Sequence, residues 1–197
     1  MKKTVWVIDD DDSIRWVLDK ALGQAGIPIK AFDSADEAMH LFPNELPLTV
    51  LSDIRMPGSS GLDFLQKIQA EFPQIPVIIM TAHSDLDSAV NSFELGAYEY
   101  LAKPFDIDEV VNVVQRAISS RSESDPEITN QITPSSEILG SAPAMQEVFK
   151  AIGRLSSSSF TVLINGESGS GKELVARALH THGPRKNEVF VALNVAA

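Results

Sequence analysis

The sequence contains no cysteine. Disulfides, thiolate-ligated metals and a thiol nucleophile are therefore excluded, and the chain fits a reducing compartment. Long apolar runs are missing as well: none approaches the ~20 residues of a membrane-spanning helix. The opening segment has four consecutive apolar residues, Val5–Ile8, between two lysines and a run of aspartates. That is too short for a secretory signal core. A cytoplasmic protein with no membrane partner is expected. Positive charge is scarce, 16 Lys and Arg against 27 Asp and Glu, for a net charge of −11. Such a surface repels phosphate backbones, so DNA binding would need a segment other than these residues.

What is present is a globular composition. With 197 residues, 44% of them hydrophobic, the chain can bury one large core or two small ones. Short apolar runs at Val5–Asp9, Ile29–Phe32, Thr49–Asp53, Val77–Thr81 and Tyr98–Leu101 alternate with helical patterns. Three of the runs are almost continuously apolar, as strands covered on both faces must be. Between them, Ile14, Val17, Leu18, Ala21 and Leu22 form one helical stripe ended near Gly26, and Ser34 with Glu37 makes a capping-box signature. Ser84 is expected to open a fourth helix, and Val110, Val111, Val114, Ala117 and Ile118 stripe a fifth. Five strand–helix units imply a doubly wound, five-stranded parallel sheet of flavodoxin-like type, because parallel strands need helical crossovers.

Residues 122–136 are polar, rich in Ser and Pro, and read as a linker. They separate a domain at 1–121 from a second unit at 137–197. The second unit is expected to hold a helix at Pro143–Leu155, a strand at Phe160–Asn165, a glycine-rich turn, a helix from Lys172 to His182 and a strand at Val189–Leu193. The pattern stops so soon after its second strand that a fragment of a larger α/β domain is expected.

In a doubly wound sheet, ligands bind beyond the carboxyl ends of the strands. Asp9, Asp10 and Asp11 follow the first strand and Asp53 ends the third. Thr81 ends the fourth, and Lys103 follows the fifth. Converging carboxylates repel unless a cation lies among them, and an all-oxygen set suits Mg2+. A carboxylate so placed can act as a nucleophile and form an aspartyl phosphate. Lysine and threonine would then meet the phosphoryl oxygens. The plainer alternative is a solvated acidic cap at a helix N-terminus.

DDDDS (9–13), SDIRMPG (52–58), MTAHSD (80–85) and KPFD (103–106), in this order and spacing, resemble the signature of bacterial response-regulator receiver domains. The resemblance implies Asp53 as phosphoacceptor for a sensor histidine kinase, Asp9 and Asp10 as acids of the Mg2+ site, and Thr81 and Lys103 as switch residues. Asp11 could stand in for a neighbouring acid. Tyr100 falls where the family carries an aromatic that reorients on activation; a half-buried strand aromatic is the other reading. His83 reads as a helix-entry residue, and Trp6 and Trp16 as packing residues.

Gly166-Glu167-Ser168-Gly169-Ser170-Gly171-Lys172 fits G-x-x-x-x-G-K between an apolar run and a helical pattern. In that context backbone N–H groups wrap phosphates, the helix N-terminus faces them, and the lysine neutralises charge. Glu173 replaces the usual Mg2+-binding hydroxyl and can instead begin the helix as a dipole-favoured acid. Ser168 and Ser170 are either loop formers or spare hydroxyl ligands. ILGSAPAMQEVF, LINGESGSGKELVARALH and ALNVAA resemble the start of the AAA+ domain of sigma-54-dependent activators, in their nitrogen-regulatory branch. That resemblance implies ATP as cofactor and Gly166–Glu173 as its site. It further implies sigma-54 RNA polymerase as a partner, self-association into dimers and higher oligomers, and enhancer DNA bound through a C-terminal domain outside these residues. The implied activity is transcriptional activation of nitrogen-assimilation genes, with ATP turnover expected of the full-length protein and not of these 197 residues. Alternatives are a receiver fused to a different P-loop enzyme, an activator answering a non-nitrogen signal, or a receiver acting alone by protein contact.

Overall fold

A computed structural model describes residues 4–42, 44–82, 86–120, 143–156 and 158–193. Five strands, β1 (Val5–Ile8), β2 (Ile29–Phe32), β3 (Val50–Asp53), β4 (Val77–Thr81) and β5 (Glu99–Ala102), form one sheet in the order β2-β1-β3-β4-β5. All its ladders are parallel. The crossovers are α1 (Asp12–Gln24), α2 (Ala35–Leu41), α3 (Gly61–Glu71) and α4 (Leu86–Glu94), and α5 (Ile107–Ser120) follows β5. This is the expected doubly wound sheet.

Side-chain alternation sorts the core into two layers. Trp6 and Ile8 of β1, Val50 of β3, Val77 and Ile79 of β4 and Tyr100 of β5 pack with buried residues of α2, α3 and α4. Val5, Val7, Leu51, Ile78, Met80 and Leu101 point the other way and pack with Leu18 and Leu22 of α1 and Val110, Val113 and Val114 of α5. Trp6 anchors the first layer, its ring 4.9 Å from those of both Phe32 and Phe42. Trp16 does not pack: it is 63% exposed on the outer face of α1, one position off the buried stripe, which corrects its reading as a packing residue. Ser34 caps α2 by accepting from the Glu37 backbone N–H, and Ser60 with Asp63 closes a reciprocal capping box on α3.

Beyond the receiver-like sheet lie α6 (Pro143–Ser156) and α7 (Lys172–Thr181). The expected strands at Phe160–Asn165 and Val189–Leu193 do not form; both segments lie outside any ladder. The reason is exposure: Phe160, Leu163, Val189, Val191 and Leu193 all face solvent, Leu163 at 83%. An apolar run becomes a strand only when a neighbour takes its backbone hydrogen bonds. The linker 122–136, His83, Ser84 and residues 194–197 lie outside the described residues.

Candidate phosphoryl-acceptor site

The site sits at the carboxyl ends of β1, β3, β4 and β5. β1 runs out at Ile8, so the next residue, Asp9, is held at the sheet end and is wholly buried. Its Oδ1 accepts the Asp11 backbone N–H at 3.0 Å, and its carbonyl accepts from the Arg15 guanidinium one turn into α1. Asp10 is exposed. Asp53, the last residue of β3, is buried, and its Oδ2 accepts the Arg55 backbone N–H at 3.2 Å. Carboxylate oxygens of Asp9, Asp10 and Asp53 all lie within 4.8 Å of one another. Asp11 is elsewhere engaged: it is the N-cap of α1, accepting from Ser13 N–H at 2.8 Å.

Lys103 closes the cluster. Its Nζ stands 2.6 Å from Asp9 Oδ2 and 3.0 Å from Asp53 Oδ1, at the start of a cis Lys103–Pro104 peptide. Burial disfavours the ammonium, but Asp9 and Asp53 outweigh that and raise its pKa, so the lysine stays charged. Burial also dominates at Asp9 and pushes its pKa up, with the nearby Asp53 charge adding to the rise and Lys103 only partly opposing it. One cation among three acids leaves the cluster short of positive charge. An oxygen-only donor set with that deficit fits a divalent cation such as Mg2+. Thr81 ends β4 and is buried. Tyr100 is fully enclosed in the α2–α3–α4 layer rather than half-buried.

The loop that follows Asp53 is held tightly. A side chain at Gly61 would land on the Asp53 carbonyl oxygen, while Gly61 N–H donates to Ile54 O at 3.0 Å. Only a glycine lets α3 start this close to the β3 terminus. Asp36 of α2 accepts from Ser59 Oγ at 2.6 Å and ties the loop from outside. Arg15, Asp36 and Gly61 escaped the sequence reading. A glycine at a helix start, where it weakens the helix, was the available signal for Gly61.

The second expected site lies in Gly166–Glu173. Gly169 and Gly171 both have φ of 82°, and Gly171 in that left-handed conformation is the N-cap of α7. Lys172 Nζ folds back on its own loop, donating to Gly166 O at 2.8 Å and Glu167 O at 2.6 Å. Glu173 lies in the first turn of α7 and pairs with Arg177 at 2.9 Å, as a helix-starting acid would. The loop residues Gly166–Gly169 are exposed.

Comparison with known proteins matches residues 5–115 to the response regulator receiver domain. The chain belongs to the response regulator family. Residues 138–197 match the sigma-54 interaction domain, so this response regulator couples its receiver to the beginning of a sigma-54 activator module. The DNA-binding transcriptional regulator NtrC of Escherichia coli (strain K12) is 56% identical over 194 residues, 98% of this chain and 41% of its own length. The receiver domain of nitrogen regulatory protein C, in its apo solution structure, superposes with a TM-score of 0.56 at 53% identity. It covers 61% of this chain and 98% of that one. NtrX from Brucella abortus, in complex with ATP, gives a TM-score of 0.58 at 32% identity over 100% of this chain and 44% of its own. The chain is thus a homologue of NtrC and spans about two-fifths of the length of the curated relatives it matches. Among the described residues no helix is long and apolar enough to cross a membrane.

Proposed function

We propose that this response regulator accepts a phosphoryl group on Asp53 from a sensor histidine kinase. The output is activation of sigma-54-dependent transcription, with nitrogen-assimilation genes as targets. The convergence of Asp9, Asp10 and Asp53 around Lys103 carries the proposal. In the transfer, an Asp53 carboxylate oxygen attacks phosphorus and the N–P bond of the donor phosphohistidine breaks. The bonding pair returns to the imidazole nitrogen, and an acyl phosphate is left on Asp53. Mg2+, held by Asp9, Asp10 and Asp53, would supply positive charge to the phosphoryl oxygens. Lys103 reaches the acceptor side, already charged and 3.0 Å away. Its position between Asp9 and Asp53 lets it shift toward the new phosphoryl group without crossing solvent. Thr81 ends the neighbouring strand and supplies a hydroxyl to the same group, while Tyr100 and α4 answer its movement.

In the second unit, Gly166–Glu173 would hold ATP. The backbone N–H groups of the loop and α7 face the phosphates, and Lys172 leaves its carbonyl partners to neutralise them. The full protein would turn ATP over as a self-associated AAA+ assembly, remodel sigma-54 polymerase and bind enhancer DNA through a further domain. The first step is directly testable. Incubating the chain with acetyl phosphate and Mg2+ should label Asp53 in peptide mass mapping, and Asp53→Asn should abolish the label. Undiminished labelling of the variant, or a label at Asp9 or Asp10, would overturn the assignment.

A further inference from the structure

Four aspartates in a row, Asp9 to Asp12, make the turn from β1 into α1. The fold gives each a different setting. Asp9 is wholly buried and paired with Lys103. Asp10 is exposed, and its carboxylate is one of the three that converge. Asp11 caps α1. Asp12 opens the helix, with its side chain 92% exposed and met by the Arg15 guanidinium.

Arg15 holds more than Asp12. Its Nη2 donates to the Asp12 carboxylate and its Nη1 to the carbonyl of Asp9. Helix side chains slope back toward the N-terminus, so the fourth residue of α1 can reach both the start of its own helix and the end of β1. The Arg15 side chain is 17% exposed and lies along the turn rather than out in solvent. The planar fork of arginine serves two acceptors at a fixed spacing, which the point charge of lysine does less well. Asp12 also cancels the guanidinium charge. A lone cation beside the acid cluster would oppose a metal ion there, whereas the Arg15–Asp12 pair is neutral.

The bond to the Asp9 carbonyl bears on Asp10. That carbonyl belongs to the peptide that enters Asp10, and the Asp11 N–H belongs to the peptide that leaves it. Arg15 holds the first, and Asp9 Oδ1 holds the second at 3.0 Å. Peptide units are planar, so fixing the two that flank a residue fixes the φ and ψ between them. The direction of the Asp10 side chain follows. An exposed carboxylate has little packing to aim it, and here the anchored backbone supplies the aim.

We propose that Arg15 is a positioning residue for the cation site: by holding the Asp9 carbonyl it aims the Asp10 carboxylate at the ion, with Asp12 as its counter-ion. The inference rests on Asp9, Asp10 and Asp53 binding a divalent cation. It names the residue that keeps the exposed member of that set in place. Charge and position predict opposite signs here. Removing a nearby positive charge strengthens the binding of a cation, whereas removing a tether that aims its ligand weakens it.

Titrating the full 197-residue chain with MgCl2, followed by the amide chemical shifts of residues 9–11 and 53–55, gives the dissociation constant with no phosphodonor present. Arg15→Met keeps the stem and loses both donors. Its Mg2+ dissociation constant should rise about tenfold, the scale on which lost support of a metal ligand is felt. Arg15→Lys keeps the charge and can donate to the same carbonyl, so it should recover part of that loss. In an Asp10→Ala background, Arg15→Met should add about twofold at most, because residues acting through one contact are not additive. Unchanged amide shifts in β3 and β4 before Mg2+ is added are the control for folding. Should the methionine variant not fold, the lysine variant replaces it in the same cycle, with a smaller rise expected. A folded methionine variant that binds Mg2+ as tightly as the parent, or more tightly, overturns the role of Arg15. So does a lysine variant no better than the methionine one, or full additivity with Asp10→Ala. A parent chain whose shifts ignore Mg2+ removes the cation site itself, and the role of Arg15 with it.

Discussion

Residues 4–120 and 143–193 carry motifs of equal clarity, yet only the first segment buries what its motifs need. In the receiver, β1 has β2 on one side and β3 on the other, and helices cover both faces of the sheet. Asp9, Asp53 and Lys103 inherit their positions from the ends of strands paired within the sheet. In the second segment, the runs on either side of the Gly166–Lys172 loop stay outside any ladder, and α7 has no buried residue. A catalytic sequence specifies which atoms are available. It takes a packed sheet to specify where they are.

The sharpest way to break this contrast is through the metal. Chelating Mg2+ should reduce acetyl phosphate labelling of Asp53 to background, and Asp10→Ala should weaken the Mg2+ dependence by an order of magnitude or so, in the range typical of disturbed metal environments. Labelling that is indifferent to both would move the cation elsewhere, with Asp11 freed from its cap as the next candidate. Packing offers the next largest contrast. Phe64→Ala removes a buried α3 ring from the core and should cost about 3–5 kcal/mol in urea unfolding. Leu174→Ala, on the exposed side of α7, should change stability by no more than about 0.5 kcal/mol. Equal losses at the two positions would show that the second segment is as well packed as the first.

The smallest effect concerns the α3 cap. Hydrogen bonds from the Ser60 side chain and backbone hold the Asp63 carboxyl below its ordinary range. Its folded pKa is therefore depressed relative to the unfolded chain. The stabilisation is present above the unfolded value and fades as pH falls through the folded one. Urea midpoints of the parent chain and Asp63→Asn should accordingly differ near neutral pH and converge in strong acid. A gap of constant size across that range would mean the cap does not depend on the carboxylate.

Legibility in the sequence followed the same divide. The strands of the sheet were placed to within a residue at either end, because buried parallel strands are apolar throughout and bounded by polar ends. Asp9, Asp10, Asp53 and Lys103 were readable as a set, since strand ends converge in a doubly wound sheet. Asp11 was ambiguous because adjacent identical residues differ only in which way the chain turns, and its turn makes it a cap. Trp16 misled because it sits next to the buried stripe of α1. The runs at 160–165 and 189–193 misled for a deeper reason: local pattern records what a strand would bury, not whether a neighbour is there to pair with it.

The folded-back Lys172 has a consequence for affinity. Its ammonium already has two carbonyl ligands, those of Gly166 and Glu167, so under the proposed ATP-binding role the loop would compete with its own ligand. A nucleotide arriving at this loop must displace those oxygens before it gains the lysine. Its apparent dissociation constant is then the intrinsic one divided by the fraction of loops with the lysine turned outward. Whatever turns that side chain outward raises affinity without adding a contact to the nucleotide.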